Sequence, residues 1–461
     1  MSAPPTPGDA LPWITPAPYD AFAASLTEHV AAVGAMMAGR ARLWLGPFPA
    51  AEQLPAGFEE TALVVPTSGS TGAQKAVALS LAALQASQDA TAEHLAGRSA
   101  GTAGGHGFWL PLLPPTHIAG VQVLARAHRT AQVLGLSAPA LPDPLPDLRG
   151  HFDAEAFVQL AEPALAQAEH AGLPAFTSLV PTQLTRLVTG ATGADAEARS
   201  LLKRFAAVLV GGAATAPDVL ARARGLRLPV RTTYGSSETA GGCVYDGRPL
   251  PGVELSLDTA GGSGASGEAG RADEPVAAVA PGASGASGAS GASGASVAGR
   301  LRIASPTLAL GYLTADGGVD SSAFSGTSPR RLVTSDLAEI TADGTLRVLG
   351  RADDVIVTGG RKVLPQDVER AIDRSLMLHG LVRAAVVVGV PDPEWGERIE
   401  ALVTLEDGAR AEEATALVRS ALRTSEVPAH MIPKRVHAVD ELPLLGIGKV
   451  DRAAARRIAR G

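Results

Sequence analysis

The stretch that decides the fold is Pro66-Thr67-Ser68-Gly69-Ser70-Thr71-Gly72-Ala73-Gln74-Lys75, which directly follows the apolar segment Ala62–Val65. Small residues let backbone N–H groups approach an anion closely, hydroxyls add donors, and the lysine supplies positive charge. It is not a Walker A motif, because Lys75 comes three residues after Gly72 and is followed by Ala76. The stretch therefore predicts a phosphate-binding loop; an ordinary strand-to-helix turn is the alternative.

Lysine usage supports the phosphate interpretation. Of 39 Lys and Arg residues only five are lysine, namely Lys75, Lys203, Lys362, Lys434 and Lys449. A lysine is a compact charge on a flexible stem, which suits it to a phosphate oxygen. In a chain that otherwise uses arginine, Lys75 is therefore expected to contact phosphate, whereas Lys203 and Lys434 are expected to be surface residues.

The first half of the chain alternates strands with helices. Apolar segments predict buried strands at Ala62–Val65, Ala175–Leu179 and Ala206–Val210. Apolar residues spaced about 3.6 apart predict helices at Leu81–Leu95 and Ala154–His170. This alternation predicts a layered, largely parallel α/β sheet. Ligands of such sheets bind beyond the carboxyl ends of the strands.

The second half changes character. Residues 258–298 are rich in Gly, Ala and Ser, with five Gly-Ala-Ser triplets over 282–296, which predicts a flexible insert. Short strands are then predicted at Gly299–Ile303, Arg331–Val333 and Arg347–Leu349, followed by helices at Lys362–Asp373 and Glu412–Ser425 and a strand at Leu381–Val390. The prediction is an α/β protein. A large N-terminal domain, residues 1–350, includes a small β-rich subdomain, and a smaller α+β domain covers residues 351–461.

Composition excludes several classes of protein. The net charge of −7 is spread along 461 residues, so no basic footprint for nucleic acid or an anionic membrane is expected. The N-terminal residues do not resemble a signal peptide, no apolar run reaches 18 residues, and Cys243 is the single cysteine. We therefore expect a cytoplasmic protein without membrane insertion or an internal disulfide.

Further motifs follow the loop in a fixed order. They are Tyr234-Gly235-Ser236-Ser237-Glu238-Thr239, Gly299–Ile303 with Gly311-Tyr312, Thr334-Ser335-Asp336, Gly350–Asp354 with Gly359–Lys362 and Glu369, and Gly446–Arg452. Together with residues 66–75 this set resembles the adenylate-forming superfamily, which includes acyl-CoA synthetases, luciferases and peptide-synthetase adenylation domains. Ser237 and Ser335 replace the usual Thr and Gly, and neither change removes an essential group.

The resemblance implies how MgATP is held. The loop residues Thr67, Ser68, Gly69, Ser70, Thr71, Gly72 and Lys75 would bind the β- and γ-phosphates. Tyr234 would lie against adenine, with Gly211, Gly212 and Gly235 leaving room for the base. Ser237 would bond the α-phosphate and Glu238 would hold Mg²⁺. Asp336 would accept hydrogen bonds from the ribose, supported by Arg351.

The resemblance also implies a two-step reaction. Lys449 would be the catalytic residue that stabilises charge as the acyl-adenylate forms. The C-terminal domain would be mobile and would swing about Asp353 for transfer of the acyl group to coenzyme A (CoA). Gly359 and Gly360 would then line the pantetheine tunnel.

The acid is suggested by a narrower resemblance. The phosphate loop begins early, and Leu113–Gly120, Ser178–Leu184 and Ser237–Gly247 are similar to o-succinylbenzoate–CoA ligases. This places His117, Thr182, Gly241 and Gly242 in the acyl pocket. The expected partners are a small carboxylic acid, ATP and CoA. Another aryl or medium-chain acid, a non-catalytic nucleotide-binding role and a homodimer stay open.

Overall fold

The computed structural model describes residues 11–50, 53–66, 75–96, 104–258, 298–376, 381–406, 411–444 and 450–461. The chain divides into two compact units. The first contains Met1–Leu255 and Ile303–Leu332, and the second contains Ser256–Arg302 and Val333–Gly461. The predicted flexible insert lies almost entirely outside the described residues, and so do Thr67–Gly72 of the loop and Lys449.

The strands and helices are numbered in chain order. The strands are β1 Trp13–Ile14, β2 Arg42–Trp44, β3 Thr61–Pro66, β4 Lys75–Ser80, β5 Phe108–Leu110, β6 Ala175–Leu179, β7 Ala207–Val210, β8 Val230–Ser236, β9 Gly241–Tyr245, β10 Arg248–Pro249, β11 Glu254–Asp258, β12 Gly299–Ala304, β13 Gly311–Thr314, β14 Val319–Asp320, β15 Phe324–Ser325, β16 Arg331–Ile340, β17 Leu346–Arg351, β18 Ile356–Thr358, β19 Arg361–Val363, β20 Val382–Asp392, β21 Gly396–Leu405 and β22 Arg435–Ala438. The helices are α1 Ala23–Met37, α2 Leu81–Ala96, α3 Ile118–Leu134, α4 Ala154–His170, α5 Pro181–Thr189, α6 Gly193–Leu202, α7 Pro217–Gly225, α8 Pro365–Leu376, α9 Ala414–Thr424 and α10 Arg452–Arg460.

The first unit contains two six-stranded sheets. One has the order β1-β2-β3-β4-β13-β14 and the other the order β10-β9-β8-β7-β6-β5. Strands β5 to β8 are parallel to one another, as predicted, and β9 adds an antiparallel edge. Every residue of β6 and β7 is buried. The β7 sequence is accordingly a continuous apolar run rather than an alternating one, and β6 also buries the polar Thr177 and Ser178.

The phosphate-loop segment joins two antiparallel strands. β3 precedes it and β4 follows it, with Val65 opposite Val77 and Pro66 opposite Ala76. The alternative of a strand-to-helix turn is therefore wrong, because the chain returns along the same sheet before α2 begins at Leu81. Anion binding by the N-terminus of a helix is not available directly after this loop.

A third sheet has the order β11-β12-β16-β15, with β17 paired to β16. It corresponds to the predicted small β-rich part. The division into units falls within its strands and assigns residues 333–350 to the second unit. The domain boundary at residues 350–351 therefore stays a prediction.

The second unit has its own sheet, β19-β18-β21-β20 with β22 beside β21, and its own apolar core. Helices α8 and α9 pack on this core through side chains such as Val368, Ile372 and Val418. The helix predicted from Lys362 begins only at Pro365, since Arg361–Val363 forms β19. This correction matters for the site, because Gly359 and Gly360 form the turn between β18 and β19.

Caps explain where several helices begin and end. The Asp153 side chain accepts a hydrogen bond from the Ala156 N–H at 2.9 Å and starts α4 where it was predicted. Gly135, with φ +67°, ends α3 in the left-handed conformation that glycine adopts without strain. Within the described ranges, no helix has the length and apolar character needed to cross a bilayer.

Candidate active site

Four parallel strands bring most of the predicted first-unit residues to one edge of their sheet. The residues that follow β5, β6 and β7 include His117, Thr182 and Gly211, and β8 runs into Ser237 and Glu238. The carboxyl ends of parallel strands are where α/β sheets bind ligands. Residues separated by more than 100 positions in sequence therefore share one edge of the fold.

Two glycines at this edge are required by close packing. A Cβ on Gly211 would lie 2.2 Å from Thr233 Oγ1, and one on Gly235 would lie 2.1 Å from the Gly241 carbonyl oxygen. Gly212 has φ +88°, a conformation that other residues adopt only with strain. Tyr234 is partly exposed on β8 between these glycines. These distances show that the strand ends on either side of Tyr234 pack closely against their neighbours.

Glu238 is held by a tyrosine that the sequence analysis had quoted without a role. The Tyr312 hydroxyl donates to Glu238 Oε1 at 2.8 Å, and the Ala309 N–H donates to the Glu238 carbonyl oxygen at 2.8 Å. Burial, and then the negative charge of Glu238, raise the pKa of Tyr312. Its phenol therefore stays protonated and serves as a permanent donor.

Lys75 is paired with an acid on a neighbouring strand. Its Nζ lies 2.6 Å from Asp320 Oδ2 and 5.4 Å from the centre of the Tyr312 ring. Hydrogen bonds from Lys75 and Ser322 lower the pKa of Asp320 to about 2. The expected contact of Lys75 with phosphate stays a prediction. The structure shows in addition that Asp320 anchors the Lys75 side chain.

The predicted acyl-pocket residues occupy three elements. His117 precedes α3, where its Nδ1 lies 3.0 Å from Thr116 Oγ1, and Thr182 is an exposed residue in the first turn of α5. Gly241 and Gly242 begin β9, and a Cβ on Gly242 would lie 2.8 Å from the Tyr245 ring. Gln122 of α3 donates to the Ala240 carbonyl oxygen at 2.7 Å and so connects α3 to this wall.

One turn further along α3 lies a residue that sequence reasoning missed. Arg126 is only 6% exposed, and its guanidinium donates to Thr91 Oγ1 at 3.3 Å and Tyr245 OH at 3.4 Å. It also lies 5.2 Å from the Trp109 ring, and its Nε has no hydrogen-bond partner. Among the residues that the structure describes, no acid pairs with it. No local pattern marks it, because its neighbours on the same face of α3 include the polar residues Gln122 and Thr130.

A small cavity adjoins this guanidinium. Its volume is about 10 Å³, enough for one water molecule, and its lining includes Gln88, His106 and Arg129 beside Arg126. Burial lowers the pKa of His106. The cavity is polar, and the two arginines that line it, Arg126 and Arg129, are cationic; Arg129 pairs with Asp89, which is not part of the lining.

In the second unit, strand register brings the predicted ribose and hinge residues together. Asp336 of β16 lies opposite Arg351 of β17, and Arg351 donates to Asp353 Oδ2 at 3.1 Å. Burial alone would raise the pKa of Asp353, but hydrogen bonds from Ser335 and Arg351 lower it. Ser335, which replaces the usual glycine, thus has a structural partner here.

The predicted CoA-tunnel glycines form a two-residue hairpin turn. Gly359 and Gly360 have φ +55° and +75°, and Thr358 pairs with Arg361 across the turn. A Cβ on Gly359 would lie 2.8 Å from the Trp395 ring, so glycine is required there. Lys434, expected to be a plain surface residue, lies with its Nζ 5.2 Å from the centre of that ring.

Lys449 lies outside the described residues, but the segments that flank it are described. Leu444 and Val450 form an isolated β-bridge, and Asp451 caps α10 by accepting from the Ala454 N–H at 2.9 Å. Arg452 then makes two hydrogen bonds to Glu369, at 2.8 and 3.1 Å, and lies 3.4 Å from Asp354. Both ends of the lysine segment are thus tied to the second unit.

Two family models match this chain. The family described as AMP-binding enzyme matches residues 35–313, and the AMP-binding enzyme C-terminal domain matches residues 371–449. A protein of Mycobacterium tuberculosis (strain CDC 1551 / Oshkosh), named probable 2-succinylbenzoate–CoA ligase, is 34% identical over 442 residues, which cover 95% of this chain and 91% of that protein.

Solved structures share the fold. The o-succinylbenzoate CoA synthetase of Bacillus subtilis, solved with its acyl-adenylate intermediate, is 22% identical with a TM-score of 0.60, over 86% of this chain and 69% of that one. The amide bond synthetase of Marinactinospora thermotolerans is 23% identical with a TM-score of 0.62, over 97% of this chain and 80% of that one.

Proposed function

The chain belongs to the AMP-binding enzyme family, and we propose that it is an ATP-dependent ligase that joins 2-succinylbenzoate to CoA. In the first step a carboxylate oxygen of the acid attacks the α-phosphorus of ATP, and pyrophosphate leaves. In the second step the CoA thiolate attacks the acyl carbonyl of the adenylate, and AMP leaves. The full-length likeness to a relative of that name supports the reaction class.

The nucleotide roles follow from the geometry of each unit. In the first, Tyr234 is proposed to lie against adenine beside Gly211, Gly212 and Gly235, and Ser237 is proposed to bond the α-phosphate. Lys75, with residues 67–72, is proposed to receive the β- and γ-phosphates. In the second unit, Asp336 is an acceptor suited to ribose hydroxyls, with Arg351 beside it.

Glu238 is the proposed ligand of Mg²⁺ that arrives with ATP. Among the described residues only Tyr312 donates a side-chain hydrogen bond to this carboxylate, at Oε1, so Oε2 retains acceptor capacity for a hard cation. Because Mg²⁺ keeps waters and phosphate oxygens as most of its ligands, one carboxylate fits the need. When bound, the ion neutralises phosphate charge and favours departure of pyrophosphate.

The observation that favours a dicarboxylic acid is Arg126. A buried guanidinium without an acid partner is costly to desolvate, and an incoming carboxylate would compensate it. 2-Succinylbenzoate carries a second carboxylate besides the one that is activated. The adjoining cavity accommodates one water, which can bridge that carboxylate to Arg126. His117, Thr182, Gly241 and Gly242 are proposed to line the remainder of the acyl pocket.

The transfer step is assigned to the second unit. Lys449 is proposed to stabilise charge during adenylation, and Asp353 to be the hinge for the change between half-reactions. Gly359 and Gly360, whose turn has no side chains, are proposed to line the path of pantetheine. The proximity of Lys434 and Trp395 to this turn supports an electropositive, aromatic entrance for CoA.

The test measures AMP and thioester formation from ATP and CoA with 2-succinylbenzoate, benzoate or medium-chain fatty acids. We expect thioester selectively from 2-succinylbenzoate, and Lys449→Ala to slow adenylation about 10²–10³-fold while sparing transfer from preformed acyl-adenylate. If another acid is turned over and 2-succinylbenzoate is not, the assignment of the substrate is wrong. If no acid yields AMP, the proposal that the protein is a ligase is wrong.

A further inference from the structure

Tyr312 lies between the two charged groups of the candidate nucleotide site in the first unit. On one side its hydroxyl donates to Glu238 Oε1 at 2.8 Å. On the other side Lys75 Nζ lies 5.4 Å from the ring centre. Glu238 and Tyr312 are 74 residues apart in sequence, so this contact exists only because β13 joins the sheet of β4.

The ring of Tyr312 is held in place from several directions. Within the sheet, residue 312 lies between Val77 of β4 and Asp320 of β14. Asp320 pairs with Lys75 at 2.6 Å, which keeps the ammonium near the ring face, and Phe324 lies with its ring centre 6.0 Å away. The phenol oxygen is therefore fixed before any ligand arrives.

Such a fixed donor has a consequence for a flexible carboxylate. A glutamate side chain loses conformational freedom when it binds a cation, and that loss weakens binding. A hydrogen bond from an ordered phenol restricts the side chain beforehand and leaves the second oxygen available. Preorganised groups of this kind raise the affinity of a site without adding a ligand.

We propose that Tyr312 is a positioning residue for Glu238: its hydroxyl fixes Oε1 so that Oε2 is available to the Mg²⁺ of MgATP. The proposal rests on the metal role given to Glu238 in the proposed function. Tyr312 itself contacts neither metal nor phosphate in this scheme. The Lys75–Asp320 pair supports the Tyr312 ring and therefore acts on Glu238 only through that ring.

Calorimetric titration of ATP into the full-length enzyme, without acid and CoA, tests the proposal. Titrations with Mg²⁺ and with EDTA give the factor by which Mg²⁺ tightens ATP binding. Tyr312→Phe removes only the hydroxyl. Since a hydrogen bond to a charged group is lost, we expect this factor to fall about 10-fold, with ATP affinity in EDTA unchanged.

Two further variants make the result decisive. Tyr19→Phe is the matched control, since the buried Tyr19 hydroxyl has no hydrogen-bond partner among the described residues, and it should leave the factor unchanged. Glu238→Gln should abolish the Mg²⁺ effect. Suppose that Glu238→Gln abolishes the Mg²⁺ effect. If Tyr312→Phe then keeps the wild-type Mg²⁺ factor, or weakens ATP binding as much in EDTA as in Mg²⁺, the positioning role is overturned and the proposed function stands. If Glu238→Gln keeps the factor, the metal assignment fails together with the inference.

Discussion

Two arginines, one in each unit, are largely removed from water, and they differ in the charge of the groups around them. Arg452, with 16% of its side chain exposed, has two hydrogen bonds to Glu369 and a second acid, Asp354, at 3.4 Å. Among the described residues, Arg126, at 6% exposure, has two long hydroxyl contacts and an aromatic ring. Removing a guanidinium from water costs free energy in both places, but within the described part of the chain acids compensate it only at Arg452.

The contrast separates a structural charge from a functional one. Burial alone would lower the pKa of Arg452, but Glu369 and Asp354 raise it, so this cluster is complete without a ligand. Around Arg126 the described residues supply hydroxyls and amides but no opposite charge. A fold that retains such a group against its desolvation cost gains most if the missing charge belongs to the substrate.

The largest expected effect is on stability, at Arg452. Arg452→Met removes the cation that pairs with Glu369 and leaves Asp354 with Arg456, at 3.9 Å. Removing one partner of a buried pair typically costs about 3–5 kcal/mol. Unfolding of the full chain in denaturant measures it. Arg383→Met is the control in the same unit, because Arg383 and Glu406 are exposed and the loss should be below about 1 kcal/mol. Equal losses in the two variants would remove the contrast.

At Arg126 the effect should fall on activity instead. Arg126→Met removes an uncompensated charge, so the free energy of unfolding should be unchanged or higher. kcat/KM for 2-succinylbenzoate should fall about 10²-fold, within the range for truncating one partner of a buried charge pair.

Substrate and residue controls sharpen this result. 4-Oxo-4-phenylbutanoate, which lacks the aromatic carboxylate, should be used equally well by both enzymes. Arg129→Met, which alters the same cavity but breaks an outward pair with Asp89, should keep selectivity. A large loss of stability in Arg126→Met would instead identify Arg126 as a structural residue.

The sequence predicted those parts of the fold that local burial determines. Strand β6 and helix α4 have the predicted bounds, because a short run that begins and ends with apolar residues and a capped 3.6-residue pattern are both local signals. Strand β4 was missed because its apolar run, Ala76–Leu79, leads almost directly into α2 at Leu81. Strand β19 could have been found, since Gly359-Gly360 directly after the short strand β18 is a hairpin signal.

The candidate site likewise contains residues that local sequence patterns predicted and residues that they did not. Motif residues such as Glu238, Asp336 and Gly359 were found because their positions in the sequence are informative. Arg126 and the role of Tyr312 were not, since their partners are 119 and 74 residues away along the chain. Only the sheet order brings these groups together, and no local pattern encodes it.

The Lys75–Asp320 pair gives the smallest expected effect and an intermediate case between the two arginines. Its side chains are 30% and 23% exposed, so water screens the pair in part. The pKa of Asp320 is lowered from 3.8 to about 2, so the pair's contribution to stability is complete above pH 4 and is lost as the pH falls toward 2. Asp320→Asn should therefore cost about 1 kcal/mol at pH 7 and nothing near pH 2. Urea unfolding of both proteins between pH 2 and 7 measures the difference, and a cost that persists at pH 2 would show that Asp320 acts through packing and not through its charge.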